Sequence, residues 1–355
     1  MNSFVALFYK RLAIILFWFT IIGCFLFLPA LYRHLNKRAT LTIFTPPLLL
    51  DPVYIQKFEE KTGVKIVLAY FENGAALLSK LAAVDGKGYD LILPDDHTLE
   101  LLIKQNALKK IDKTKINFWN DIHPSLLNVY FDPDNAYTVP YYWGVYGIGY
   151  DSGIFPDGLP QNSWAVLFDK TLCPNAKICM TDEPREALLI AARYLFGSID
   201  ELKKPEAQEA VKQLLIKQKK QVEVYTLSRA DTLLQTNSCA VATIASPEAW
   251  RTSRSTPTIK MAIPKEGSFL LMDSFAIPRN TSNDALIYEF LNFIFEQDSI
   301  SHHSYQYGFC SPLHTVKLPD QETFCPINEI DSFDFFREVI SDKRINELWI
   351  EVLAA

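Results

Sequence analysis

The sequence predicts an α/β protein of two domains, in which strands alternate with helices to build a sheet covered by helices on both faces. Three observations carry that expectation. Strand-patterned and helix-patterned segments alternate from Thr40 onward. With 49% hydrophobic and 21% charged residues the composition is that of a folded chain, since disordered chains are poorer in apolar residues and richer in charge. The roughly 315 residues beyond the N-terminal segment suffice for two domains of about 150 residues each and an ample core.

Residues 40–44 (TLTIF) suit a strand. Asp51 then offers a helix N-cap with Pro52 at the first helical position, Ile55 and Phe58 lie on one face, and Gly63 stops the helix. Residues 64–69 return as a strand, and Asn73 caps a helix carrying Leu77, Leu78 and Leu81. Residues 90–93 form a short strand followed by a helix through Leu99, Leu102 and Ile103. Sheets of this kind bind ligands at the carboxyl ends of their strands. The glycine-spaced run GVYGIG at 144–149 is extended and suited to crossing between domains; its bulky residues and missing helix cap exclude a phosphate loop. Residues 202–221 read as an amphipathic helix interrupted early by Pro205, its lysines forming a solvated face. FLLMDSFAIP at 269–278 is a second extended run, apolar except at Asp273 and Ser274, and 285–295 resumes a helical pattern.

The formal net charge is -6, from 35 basic and 41 acidic residues. Five of the basic residues, Lys10, Arg11, Arg33, Lys37 and Arg38, precede the first acid, so the rest of the chain holds 30 against 41. No basic face is available for nucleic acid. Residues 12–32 carry no charge and are about as long as a membrane-spanning helix. An uncleaved anchor, a cleaved signal and a lipoprotein signal around Cys24 all remain open, and the flanking charges do not fix the orientation. In an oxidising compartment two disulfides are expected, Cys173 with Cys179 and Cys310 with Cys325, leaving Cys239 as a buried free thiol. No zinc spacing occurs.

The order of segments FEEKTGVKIVLAYFENGAALLSKL, GYDLILPDD, IDKTKI, FDPDNAYTVPYYWGVYGIGYD and PKEGSFLLMDSFAIP resembles the spermidine/putrescine-binding proteins of ABC importers, from about residue 41 to 309. The resemblance implies a two-lobed periplasmic binding protein fold, preceded by the transmembrane or signal segment. Its two crossovers fall near residues 145 and 272, and it closes on ligand by a hinge motion. The lobes expected are 40–146 with 273–318, and 147–272 with 319–355, after a segment 1–39. Such proteins hold a polycation with carboxylates on its ammonium groups and aromatic rings along its methylenes.

The resemblance assigns ligand binding to Asp273, Glu183, Glu186, Asp95, His97 and Phe309. Asp273 stands out because a charge inside an apolar run is costly unless paired. Glu183 and Glu186 also suit a helix start, with Arg185 competing for either charge, while Asp95 and Asp96 also suit a helix cap. An exposed helix-start position is the ordinary reading of His97, and packing at the crossover that of Trp143. Pro46, Pro47, Leu271 and Ile244 stand where the family places stacking residues, which leaves room for a ligand shaped differently from spermidine or putrescine.

The expected function is capture of a small cation, foremost a polyamine, for an ABC permease. The protein is expected to be a monomer without cofactor or catalytic activity, outside the cytoplasm and tethered to the membrane. Alternatives are a receptor for another small ligand, a membrane-anchored sensor, or a metal carrier using His302, His303, Tyr305 and Tyr307, a cluster that reads better as ordinary helix polars.

Overall fold

The computed structural model describes residues 17–19, 21, 38–226, 229–316 and 324–355. The alternatives for residues 12–32 therefore fall outside the described residues apart from 17–19 and 21. Among the described residues no helix is long and apolar enough to cross a membrane.

The first half runs β1 (Thr40–Thr45), α1 (Pro52–Thr62), β2 (Lys65–Tyr70), α2 (Gly74–Ala83), β3 (Leu91–Ile92) and α3 (Asp96–Lys104). Its boundaries follow local chemistry. The Asp51 carboxylate accepts from the Val53 amide, Pro52 opens α1, and Gly63 ends it at φ 74°, a conformation that costs glycine little. Asn73 and Asp95 cap α2 and α3 in the same way, accepting from Ala76 and Thr98. β1 lies parallel between β2 and β3.

The long strand β4 (Thr138–Asp151) leaves this half, and β5 (Ile178–Met180), α4 (Pro184–Phe196), α5 (Pro205–Lys219), β6 (Val222–Tyr225), α6 (Ala230–Gln235), β7 (Val241–Ala245), α7 (Ser246–Ser255) and β8 (Ile259–Ala262) follow. β9 (Phe269–Ala276) leads back to α8 (Asp284–Ile294) and α9 (Gln297–Tyr307), and β10 (Asp334–Phe335) precedes α10 (Asp342–Ala354). The strand order is β2-β1-β3-β9-β4-β7-β5-β6, with β10 beside β9 and β8 beside β4.

β4 joins the two halves. From Thr138 to Val145 it pairs antiparallel with β9, and from Tyr146 onward with β7 and β8. Glycines allow this close approach, for a Cβ on Gly147 would lie 2.4 Å from Met261 Cε, and one on Gly144 3.0 Å from Pro247. Trp143 is buried at this seam and donates its indole N–H to the Ser311 carbonyl at 2.8 Å, so it packs the crossover.

One apolar cluster fills the first half around β1, β3, β9, α8 and Tyr141 and continues onto one face of the second sheet through Cys179, Ile244 and Trp250. A second cluster packs α4, α5 and α10 against the other face of that sheet. The tail changes sides later than residue 319: Phe324 and Ile330 join the first cluster, and Phe336 joins the second.

The Cys310–Cys325 disulfide is present, whereas the expected Cys173–Cys179 bond is not, and both thiols are free. The reason is strand alternation: Cys179 on β5 turns to the first cluster, while Cys173 packs with Ile178 and Met180 in the second. Because Cys310–Cys325 closes a short loop, Cys310→Ser is expected to lower unfolding free energy by about 2 to 3 kcal/mol, measured by denaturant titration without reductant.

Candidate functional site

Three strand ends deliver acids to one place. β3 ends at Ile92, and Leu93 and Pro94 lead to Asp95, the cap of α3, with Asp96 in its first turn. Asp95 accepts from the Thr98 amide at 2.7 Å and the Thr98 hydroxyl at 3.0 Å, so its capping role is real. It also forms an isolated backbone bridge with Asp273, which stands in β9 opposite Tyr142 of β4. β5 leads to Glu183 and Glu186 at the start of α4. Glu183 occupies the cap position, but its side chain makes no capping bond. Glu186 accepts from the Thr181 hydroxyl at 2.7 Å. β7 leads to Glu248 in the first turn of α7. These are the carboxyl ends of parallel strands, the ligand-binding end of such sheets.

The electrostatics are those of carboxyls held toward their protonated form by burial and by one another. Asp273, half-buried, is pushed far above the ordinary carboxylate range by burial and then by Asp95 and Asp96. Burial raises Asp96 to about 7, with Asp95 adding and the bond from the Tyr130 hydroxyl at 2.9 Å opposing. Burial also raises Glu186 to about 7 against the bonds from Thr181 and Tyr146, with Glu183 and Glu248 adding. Glu248 rises to about 7 through burial, opposed by Arg251. Glu183 rises through burial, opposed by Arg185. Tyr142 links the two groups of acids, since both Asp273 and Glu248 raise its hydroxyl after burial has done so. Among the described residues no ion pair engages Asp95, Asp96, Asp273, Glu183, Glu186 or Glu248. A cation placed there would recover the cost of burying these carboxyls.

The structure therefore brings together Asp95, Asp273, Glu183 and Glu186, and sets the other two expected residues aside. His97 turns its Nε2 to the Arg185 guanidinium, which donates at 3.3 Å and also pairs with Asp342. Burial and the Arg185 charge lower the His97 pKa, so the ring is a neutral contact from α3 to α4. Phe309 is fully buried, with its ring centroid 5.3 Å from that of Tyr141 and 5.5 Å from that of Tyr142, and it supports Tyr142 from behind. Of the positions lacking a family ring, Ile244 is buried and Leu271 packs against the second cluster, so neither offers a stacking face.

Glu248, Tyr142 and Tyr146 belong to the same site and escaped the sequence reading. A signal for Glu248 existed in IASPEAW: an apolar strand followed at once by a proline-opened helix with an acid in its first turn. The two tyrosines alternate along β4 with residues that face the other way, a register visible only once β9 and β7 are paired.

The histidine cluster on α9 is structural. His303 is buried; its Nε2 accepts from the Asp51 amide at 2.9 Å and its Nδ1 donates to the Ser299 carbonyl at 2.7 Å. His302 pairs with the Asp51 carboxylate at 2.8 Å. Both rings thus tie α9 to the cap of α1, and among the described residues no group of His, Cys, Asp and Glu is arranged to hold a metal ion.

Raised carboxyl pKa values set the pH dependence of the ligand-free fold. Asp96, Glu186 and Glu248 keep their protons in the folded state to about pH 7, whereas an unfolded chain releases them near 4. The folded state then binds more protons between those limits, so stability falls as pH rises through them. Urea unfolding is expected to show a loss on the order of 2 kcal/mol for each of these three carboxyls between pH 5.5 and pH 8. A flat or rising profile over that window contradicts the description of the site.

Two groups of acids are linked through Tyr142, on the strand that the two halves share. The comparisons give the class of protein. Residues 53–323 match the bacterial extracellular solute-binding protein family, and the chain belongs to that family. It is 30% identical over 265 residues to the putrescine-binding periplasmic protein SpuD of Pseudomonas aeruginosa, spanning 70% of this chain and 71% of that one. Against the putrescine-binding periplasmic protein PotF of Escherichia coli it is 27% identical over 281 residues, 75% and 76% of the two chains. The fold superposes on the spermidine/putrescine ABC transporter substrate-binding protein PotD of Streptococcus pneumoniae with a TM-score of 0.81 at 23% identity, covering 89% of this chain and 99% of that one. The architecture is thus the mixed α/β, two-lobed periplasmic binding protein fold.

Proposed function

We propose that the protein captures a diamine or polyamine of the putrescine and spermidine type outside the cytoplasm and passes it to an ABC permease. The observation that carries this reading is the set of buried, unpaired carboxyls from both lobes meeting around Tyr142. Asp95, Asp96 and Asp273 would receive one ammonium group, and Glu183, Glu186 and Glu248 the other. Tyr142 and Tyr146 lie along the connecting methylenes, where ring faces attract cations and cover apolar surface. With Pro46, Pro47, Leu271 and Ile244 in place of rings, the ligand has fewer stacking partners than in the family pattern, which favours a short diamine.

The lobes proposed to close on the ligand are 40–146 with 273–318, and 147–272 with the C-terminal tail, hinged where β4 changes partners between Val145 and Tyr146 and near residue 272. The family and the relatives' names support a periplasmic receptor without catalysis, and working as a monomer is part of the same proposal. A tether through residues 12–32 is part of the same proposal.

Thermal shift with a panel of diamines, polyamines, amino acids and divalent metals tests the reading. A ligand that binds only the folded state adds about 2.7 kcal/mol at a hundredfold excess over its dissociation constant. Putrescine or a close homologue is expected to raise the melting temperature most. A rise with metals or neutral amino acids alone would overturn it.

A further inference from the structure

His97 and Arg185 lie outside the ligand-binding set, yet each stands among its acids. His97 follows Asp95 and Asp96 at the start of α3, and Arg185 lies between Glu183 and Glu186 at the start of α4. α3 packs into the first apolar cluster through Leu99 and Leu102, whereas α4 and α10 pack into the second through Leu188 and Leu348. The bond from Arg185 Nη2 to His97 Nε2 at 3.3 Å therefore joins the two clusters, with an acid of each group next to it in the chain.

Arg185 is anchored on its own side. The same Nη2 pairs with the Asp342 carboxylate of α10, and Nη1 donates to the Phe336 carbonyl at 3.4 Å. Its side chain is only 12% exposed, so the guanidinium is held and largely screened from water independently of His97. Because the guanidinium can only donate, His97 Nε2 accepts and Nδ1 carries the ring proton. Among the described residues neither His97 Nδ1 nor Arg185 Nε, both buried, has a hydrogen-bond partner. The contact thus gains one charge-assisted bond and buries two unpaired donors, a near-balance that lets it break as well as form.

We propose that His97 and Arg185 are positioning residues whose contact holds Asp95, Asp96 and Asp273 against Glu183, Glu186 and Glu248 in the ligand-free chain. Bringing two groups of carboxyls together without a cation is opposed by their mutual repulsion and burial. The bond between a neutral imidazole and the anchored guanidinium offsets part of that cost, so an arriving diammonium meets acids already in place and has less ordering to supply. Breaking the contact opens the empty protein and speeds release of the ligand. The benefit to binding rests on the function proposed above, whereas the contact itself is measured on the empty protein.

Small-angle X-ray scattering of the full, ligand-free chain tests this with His97→Ala and His97→Gln. Ala removes the acceptor, and Gln brings an amide oxygen to about the reach of Nε2. The expected result is a larger radius of gyration for His97→Ala than for the parent, with His97→Gln at the parent's value. Arg185→Lys keeps a cation beside Glu183 but lacks the fork that reaches His97, Asp342 and the Phe336 carbonyl. It should expand as His97→Ala does, and it replaces that variant if His97→Ala does not fold. In stopped-flow displacement, putrescine is expected to leave His97→Ala about tenfold faster than the parent, as for loss of one hydrogen bond to a charged group. Equal radii for the parent, His97→Ala and Arg185→Lys overturn the proposal, and so does a His97→Gln radius matching that of His97→Ala or release from His97→Ala at the parent's rate. Failure to bind putrescine while the radii differ as expected would count against the proposed function alone.

Discussion

Asp273→Asn is expected to weaken putrescine binding by about 2 to 5 kcal/mol, the usual loss when one member of a buried charged pair is removed. The substitution keeps the shape of the side chain and removes the charge that meets the ammonium. Its effect on the empty protein should have the opposite sign. Asp273 carries a carboxyl raised by burial and by Asp95 and Asp96, so ionising it without ligand is costly. Asn avoids that cost, and the ligand-free variant should be at least as stable as the parent near neutral pH. Calorimetric titration beside urea unfolding reads both. Unchanged affinity with intact stability would mean that the ligand sits elsewhere.

Replacing Glu186 and Glu248 together by Gln is expected to cost about 3 to 5 kcal/mol of putrescine affinity, because hydrogen bonds to a charged group are each worth about 1.5 to 3 kcal/mol. The two act on the same half-site, Glu248 raising the Glu186 carboxyl, so the double variant should lose less than the sum of the singles. Glu183→Gln should lose less than either, since Arg185 already offsets its charge. If the double variant binds as well as the parent, the second lobe does not contribute acids to the ligand.

Much of the fold was legible because its boundaries are written in single residues. Asp51, Pro52 and Gly63 mark both ends of α1, Asn73 and Asp95 mark the starts of the next two helices, and the run at 144–149 lies within the shared strand. β4 changes partners between Val145 and Tyr146, within that run. Pairing across the sheet was not legible. Cys173 and Cys179 are close in sequence, which suggested a bond, but alternation places them on opposite faces of β5. The tail's late change of side depends on Phe324 and Ile330 packing beneath the first lobe, a tertiary choice with no local signal.

The site was legible in part for the same reason. Asp273 was conspicuous as a charge in an apolar strand, and its surroundings are as acidic as that position suggested. Glu183 and Glu186 could equally have served a helix start; in the structure Glu183 makes no capping bond and Glu186 bonds to Thr181. His97 stands at a position where the resemblance places a binding residue, but its ring faces Arg185, a residue distant in sequence. Phe309 kept an aromatic position while its ring went to the core, leaving Tyr142 as the ring beside the acids.

Titration of putrescine into the protein at pH 7, in two buffers of different ionisation enthalpy, tests the central claim most directly. Asp96, Glu186 and Glu248 are partly protonated at that pH in the empty site, and an arriving ammonium favours their charged forms. The expected result is one ligand per chain, with protons released on binding and affinity rising from pH 6 to pH 8. Binding without proton release, or no binding of putrescine or any longer polyamine, would contradict a site built from unpaired carboxyls.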